Sequence, residues 1–270
     1  MTEGVVKKVT VQTLQKMKSE GVKISMLTAY DYTMATILDA AGVDSILVGD
    51  SAANVVDGWS TTLPISVKEM TYHAAAVVRA TKRAFVVVDM PFGSYQASVE
   101  DAVRNAVELM KGSGADAVKI EGGEPYIPHI KAILTAGIPV VGHIGLTPQS
   151  VHKFGGYGLR ASEKAEADQL KKDARLLSEV GCTMIVIEKV PATLAMEISR
   201  SLPTPIIGIG AGANVDGQVL VGQDMLGMST MFKPKFVRKY LNLFDEIKDA
   251  VSRYDSDVKN GSFPSAEESY

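Results

Sequence analysis

The chain has a single cysteine, Cys182, among its 270 residues. It can form no internal disulfide, which suits a reducing compartment, and a thiolate metal site is disfavoured. The flanks of that residue, "VGCTMIVI", describe an inert thiol in the core. Basic runs are equally scarce. No more than two Lys or Arg residues stand together and the net charge is −3, so there is no stripe to track a phosphate backbone and no nucleic-acid partner is expected. Long hydrophobic runs are missing too. Nothing approaches the ~18 uninterrupted apolar residues of a membrane span, and the N-terminal "MTEGVVKKVTVQTLQKMK" lacks the apolar centre of a signal peptide. These absences predict a soluble, cytoplasmic chain with no membrane partner.

What the chain does have is a periodic supply of apolar residues. At 46% hydrophobic and 22% charged, it has the composition of a globular protein with a sizeable core. The length suits one domain over 1–270, since eightfold α/β barrels need about 250 residues.

The stretches "AAGVDSILV", "GSGADAVKI", "TAGIPVVGH" and "EVGCTMIVI" each place a glycine after a helical segment and before a short apolar run. Glycine is what a helix C-terminus needs when the chain turns left-handed. The unit is therefore helix, glycine stop, buried strand. Apolar runs without alternation indicate strands covered on both faces, as in a parallel sheet wrapped by helices. Strands are predicted at 24–28, 44–49, 84–89, 116–121, 138–143, 183–188, 205–209 and 218–222, which favours a closed (βα)8 TIM barrel over an open doubly wound sheet. A helix precedes the first strand, and a polar C-terminal extension is expected from Tyr254.

Most of these strands end on a polar group: Asp50, Asp89, Glu121, His143 and Glu188. In such a barrel the strand C-termini converge on one mouth, where active sites are built. Any one acid after a strand can be a turn residue or a helix cap. Five together point to a site. Asp50, Asp89 and Glu121 come from consecutive strands, and three neighbouring carboxylates repel one another unless a cation lies among them. An all-oxygen set favours Mg²⁺. A structural network neutralised by Lys119 and arginines is the alternative.

Lys119 and Glu121, two apart in "VKIEGGE", point to the same face of their strand. Either they form a structural ion pair, or Glu121 faces a metal and Lys119 the anionic end of a substrate. Glu188 is expected across the ring from Asp50, free to act as a base. "GIGAGANVDGQ" matches the relaxed dinucleotide fingerprint weakly and reads better as a tight turn lining a pocket. His73 is read as a helix residue, and His129 and His152 as loop residues.

The motifs "MLTAYDY", "LVGDSAANVV", "TTLPISVKEM", "VVDMPFGSY", "VKIEGGE", "GHIGLTPQSV", "FGGY", "IEKVPATLA" and "IGIGAGANVDGQVLV" together resemble the ketopantoate hydroxymethyltransferase family, from about residue 8 to the tail. That resemblance implies a barrel of the phosphoenolpyruvate/pyruvate type. It also implies Mg²⁺, and transfer of a one-carbon unit from 5,10-methylenetetrahydrofolate to 3-methyl-2-oxobutanoate, giving 2-dehydropantoate for pantothenate synthesis. By motif, it implies metal contacts from Asp50, Asp89 and Glu121. It assigns substrate contacts to Asp50, Ser51, Asp89, Lys119 and His143, the base to Glu188, and a homodecameric assembly. Trp59 and the "GLRASE" stretch after "FGGY" depart from the family pattern. A Mg²⁺-dependent C–C lyase or mutase on the same barrel, and a silent keto-acid-binding scaffold, are the competing readings.

Overall fold

The computed structural model describes residues 7–229 and 234–270. By internal packing the chain divides into two compact units, Met1–Val221 and Gly222–Tyr270.

The first unit opens with helix α1 (Val11–Ser19), capped by Thr10 and Thr13, and strand β1 (Ile24–Thr28). Then come α2 (Tyr32–Ala40), β2 (Ser45–Val48), the short α3 (Ala52–Val55), α4 (Val67–Ala80) and β3 (Phe85–Asp89). Next are α5 (Val99–Ser113), β4 (Ala117–Glu121), α6 (Ile127–Thr135), β5 (Val140–Gly145) and α7 (Val151–Phe154). The set closes with α8 (Lys164–Val180), β6 (Met184–Glu188), α9 (Ala192–Ser201), β7 (Ile206–Ile209) and β8 (Gly217–Leu220). All eight strands are parallel, each pairs with the next, and β8 pairs with β1 to close the barrel. Every expected strand is present. β5 is shifted two residues along the chain from the expected 138–143, and β8 begins one residue earlier than expected and ends at Leu220.

The chain explains its own alternation. Along β3, Phe85 and Val87 point inward with residues such as Ile24, Met26, Ala117, Val141 and Val186, forming the barrel interior. Val86 and Val88 point outward, into the layer shared with the helices. Both faces are apolar, so no polar alternation shows in the sequence. Two glycine stops sit where the helices need them: Gly114 ends α5 at φ 76° and Gly181 ends α8 at φ 104°, both left-handed.

Below the sheet, Asp216 ties three elements together. Its Oδ2 accepts from Lys18 Nζ at 2.5 Å, Ser199 Oγ at 3.0 Å and the Ile206 N–H at 2.9 Å.

The second unit holds α10 (Gly222–Met225) and α11 (Leu243–Asn260). Backbone bonds from Tyr240, Leu243 and Phe244 to Met225, Leu226 and Gly227 link its two parts. The polar stretch expected as an extension from Tyr254 is helical through Asn260, because Phe244, Ile247, Val251, Tyr254 and Val258 recur at helical spacing on one face of α11.

Candidate active site

Inward-facing positions place the site. On β4 the inner series is Ala117, Lys119, Glu121; on β3 it reaches Asp89, on β5 His143 and on β6 Glu188. Deep in the barrel these positions are apolar, and at the C-terminal end they become charged. Strand register then fixes neighbours, since Asp89 lies opposite Lys119 and Glu121 opposite His143.

Asp50 follows β2 and reaches the same place through the backbone: its N–H donates to Asp89 Oδ2 at 3.0 Å. A Cβ on Gly49 would lie 2.7 Å from Ser51 Oγ and 3.6 Å from Asp89 Oδ2, so a side chain there would displace the Ser51 hydroxyl. Ser51 Oγ in turn shares a 2.8 Å hydrogen bond with Tyr30 OH. Asp50, Asp89, Lys119, Glu121 and His143 are all at most 4% exposed.

Lys119 Nζ stands 3.1 Å from Asp89 Oδ1, 3.1 Å from His143 Nδ1 and 4.0 Å from Glu121 Oε1. Its position is a cluster, not a simple pair with Glu121. Burial opposes the Lys119 charge, but Asp89, Glu121 and Asp50 outweigh burial and raise its pKa. His143 lies between two acids, with Nδ1 3.3 Å from Glu121 Oε1 and Nε2 3.3 Å from Glu188 Oε2. Burial and Lys119 press its pKa down, yet the flanking carboxylates win and raise it to about 9. Burial also works against the Glu121 charge, and His143, Lys119 and the Gln149 N–H hold its carboxyl below the usual range. Asp50 is pushed well up, first by burial and then by Glu121 and Asp89.

Glu188 is thus on the strand next to His143 and in contact with it. Register brings the two together: β5 and β6 are adjacent, and Gly145 lies opposite Glu188, while β6 stands across the closed barrel from β2, which Asp50 follows.

Two residues without a role in the sequence expectations join the site. Gln149 is buried after β5; its Nε2 donates to Asp50 Oδ2 and Met90 O at 2.9 Å each, and its backbone N–H donates to Glu121 Oε2 at 2.9 Å. Tyr95 OH donates to Gln149 Oε1 at 2.8 Å. Burial pushes the Tyr157 phenol up, helped by the negative charges of Asp50, Glu188 and Glu121. Tyr30, like Gln149 and Tyr95, lies in one of the quoted motifs without an assigned role. A strand-end rule extended from acids to tyrosines would have marked it, but nothing local distinguishes Gln149 from an ordinary loop amide.

The donor set can be tested for a cation. Buried Asp89 Oδ1 and Glu121 Oε1 lack a well-formed hydrogen bond, and burial together with Glu121 and Asp89 disfavours a charge on Asp50. Oxygen donors with unfilled capacity fit a hard divalent ion. Among the described residues no three Asp, Glu, His or Cys side chains are arranged so as to hold a metal ion; Gln149 and Lys119 bond the carboxylates instead.

Elsewhere, Cys182 is 5% exposed at the foot of β6, and burial raises its pKa to about 12. The inert reading of this thiol agrees with that. His73 is on α4, whereas His129 and His152 lie on α6 and α7, not in loops. The glycine stretch is a tight turn between β7 and β8: a Cβ on Gly212 would fall 2.4 Å from Ala192 Cβ.

The family model described as ketopantoate hydroxymethyltransferase matches residues 8–266. The chain belongs to the ketopantoate hydroxymethyltransferase family. A 3-methyl-2-oxobutanoate hydroxymethyltransferase of Flavobacterium johnsoniae is 58% identical over 98% of this chain and 97% of the relative. One from Prosthecochloris aestuarii is 59% identical over 97% of this chain and 96% of the relative. Among solved structures, a phosphoenolpyruvate phosphomutase from Streptomyces platensis subsp. rosaceus superimposes with a TM-score of 0.63 at 14% identity, covering 93% of this chain and 88% of that one. A 2,3-dimethylmalate lyase of the PEP mutase/isocitrate lyase superfamily gives 0.58 at 14% identity, covering 94% and 88%. Phosphonopyruvate hydrolase, solved with oxalate and Mg²⁺, gives 0.59 at 12% identity, covering 96% and 92%. Those three share the fold with this transferase family. No helix among the described residues is long and apolar enough to cross a membrane.

Proposed function

We propose that the protein transfers a hydroxymethyl unit from 5,10-methylenetetrahydrofolate to 3-methyl-2-oxobutanoate, giving 2-dehydropantoate and serving pantothenate synthesis. The observation that carries this reading is the ring of buried groups at the barrel mouth, three carboxylates beside Lys119 and the His143–Glu188 contact, in a chain of this family.

Asp50, Asp89 and Glu121 would hold Mg²⁺. Bound there, the ion supplies Lewis-acid stabilisation to negative charge on the oxygens of a 2-oxo acid. Ser51, with Asp50 and Asp89, lines the keto-acid position, and Lys119 offers its charge to the substrate carboxylate. Glu188 removes the C3 proton. His143, 3.3 Å from Glu188 Oε2, fixes the direction of that carboxylate and balances its charge. The C3 carbanion then bonds to the carrier's methylene carbon as the two bonds from that carbon to the carrier's nitrogens break. Water supplies the hydroxyl of the product, and the C3 proton and the remaining proton of water end on the two released nitrogens. Because Asp50, Asp89, Lys119, Glu121 and His143 are nearly inaccessible, the charges act in a medium where they are worth more than in water.

A lyase working through a reactive mouth-loop cysteine has no such residue here, since Cys182 is buried at the opposite end of β6. Turnover with 3-methyl-2-oxobutanoate, methylenetetrahydrofolate and Mg²⁺ is the test, set against pyruvate and oxaloacetate. Product from the branched keto acid alone is expected. Cleavage of oxaloacetate in its place would overturn the reading.

A further inference from the structure

Beside the carboxylate cluster lies a cavity of about 650 Å³, between the loops that follow β4 and β5. Its size falls in the range of about 300–1,000 Å³ that holds small ligands and cofactors. A branched five-carbon keto acid would fill only a small part of it.

The cavity's inner end is formed by Glu121 and Gln149, both members of the carboxylate site. A molecule seated there meets whatever is bound beside Asp50. Joining two carbon fragments demands two binding volumes that touch at the reacting atoms, and here one wall serves both.

The lining has a definite chemistry. Phe92 is 49% exposed, a large apolar ring left facing the cavity. Tyr95 and Tyr126 meet edge to face with centroids 5.3 Å apart, and Arg160 covers the Phe154 ring at 3.9 Å. Aromatic walls of this kind take planar rings. Amides lie at the inner end, where Gln96 Nε2 donates to Gln149 Oε1 at 2.9 Å, within reach of a ring that carries its own donors and acceptors. The outer wall is tied to the base-bearing strand, since the Arg160 N–H donates to the carbonyl of Lys189 at 2.8 Å, next to Glu188.

Charge is distributed unevenly around the cavity. Arg160 is paired with Glu166, Glu124 with Lys172, and Asp173 accepts the Glu124 N–H at 2.8 Å. Lys153 also lines the cavity, is exposed, and enters no ion pair among the described residues. A free ammonium at the rim of an aromatic cleft is placed for an anionic tail.

We infer that this cavity seats the one-carbon donor, with its planar heterocyclic ring between Phe92 and the Tyr95–Tyr126 pair and its anionic tail at Lys153. The inference rests on the transfer reaction proposed above and adds the place where the carrier binds.

Two variants lie in the cavity and outside the keto-acid cluster, Phe92→Ala and Lys153→Glu. Both positions are substantially exposed, so neither change threatens folding. Calorimetric titration with tetrahydrofolate, and separately with 3-methyl-2-oxobutanoate in the presence of Mg²⁺, reads the two sites independently. Loss of an aromatic contact predicts tetrahydrofolate binding weakened by about three- to tenfold in Phe92→Ala. Lys153→Glu should weaken it several-fold at low salt and less at high salt. Keto-acid affinity should match wild type in both. Unchanged tetrahydrofolate affinity in both variants, or an equal loss for both ligands, overturns the placement. Exchange of the keto acid's C3 proton in wild type needs no carrier and isolates the other reading: exchange without tetrahydrofolate binding removes the donor assignment and this site with it, whereas tetrahydrofolate binding with unaltered variants removes the site alone.

Discussion

Lys119 Nζ is closer to Asp89 Oδ1, at 3.1 Å, than to Glu121 Oε1, at 4.0 Å, although Lys119 and Glu121 share a strand face. Cross-strand register prevails over proximity in sequence because residues directly opposite are closer than residues two apart on one strand. Lysine thus serves as a shared counter-charge for carboxylates from different strands.

Lys119→Met should therefore destabilise the metal-free protein. The methionine keeps most of the apolar stem and removes the charge, leaving buried acids with one fewer partner. Breaking a buried pair this way costs about 3–5 kcal/mol. Urea unfolding of the metal-free variant checks it, and a loss below about 1 kcal/mol, the usual worth of an exposed pair, would mean that Lys119 is not holding the cluster together.

Glu188→Gln should keep keto-acid binding, because the amide preserves shape and one acceptor, and lose C3 proton exchange. Removing a general base typically costs about 10²–10⁴-fold. Deuterium uptake at C3, followed by NMR in the presence of Mg²⁺, reads that step without the carrier. Exchange near the wild-type rate would take the base role from Glu188.

The barrel itself was legible because its eight strands are apolar on both faces and several helices before them stop on glycine; both signals are local. The charged ends were legible for the same reason, as Asp89, Glu121 and Glu188 terminate apolar runs. What local reading lacked was the lateral order of side chains. That His143 sits between Glu121 and Glu188 depends on which strands are adjacent and in what register. Gln149 is harder still, since only the closed barrel brings an amide after β5 against Asp50 after β2. The helix through Asn260 was missed because polar residues dominate its sequence, while its apolar positions recur one per turn.

Asp39, at the end of α2, offers a pH test outside the site. Its carboxylate accepts the N–H groups of Lys82, Arg83 and Ala84 at 2.8–3.0 Å. Burial opposes the charge, but these bonds and Lys8 outweigh it and lower the pKa. A group whose folded pKa is depressed contributes stability above its unfolded value and loses it as pH falls through the folded value. Asp39→Asn should cost about 1–3 kcal/mol at pH 7. The difference should hold down to about pH 5 and shrink below ~3.9, the ordinary aspartate value. Urea unfolding across that range measures it, and a difference independent of pH would exclude the carboxylate charge as its source.

Asp50 provides the sharpest test of a cation, because its two expected effects have opposite signs. In the metal-free protein its carboxylate is buried among Glu121 and Asp89, which raises its pKa and makes its charge costly. Asp50→Asn removes that charge while Asn Oδ1 can still accept from Gln149 Nε2. The metal-free variant should therefore be at least as stable as wild type. With Mg²⁺ the order should reverse. An ion that binds only the folded state adds RT ln(1 + [L]/Kd), about 2.7 kcal/mol at a hundredfold excess over Kd, and the variant has lost one of its ligands. Melting curves with and without Mg²⁺, on wild type and Asp50→Asn, carry both comparisons. A generally damaged fold lowers stability in both conditions, whereas removal of a metal ligand lowers only the gain from Mg²⁺. Equal gains in the two proteins would place the ion away from Asp50.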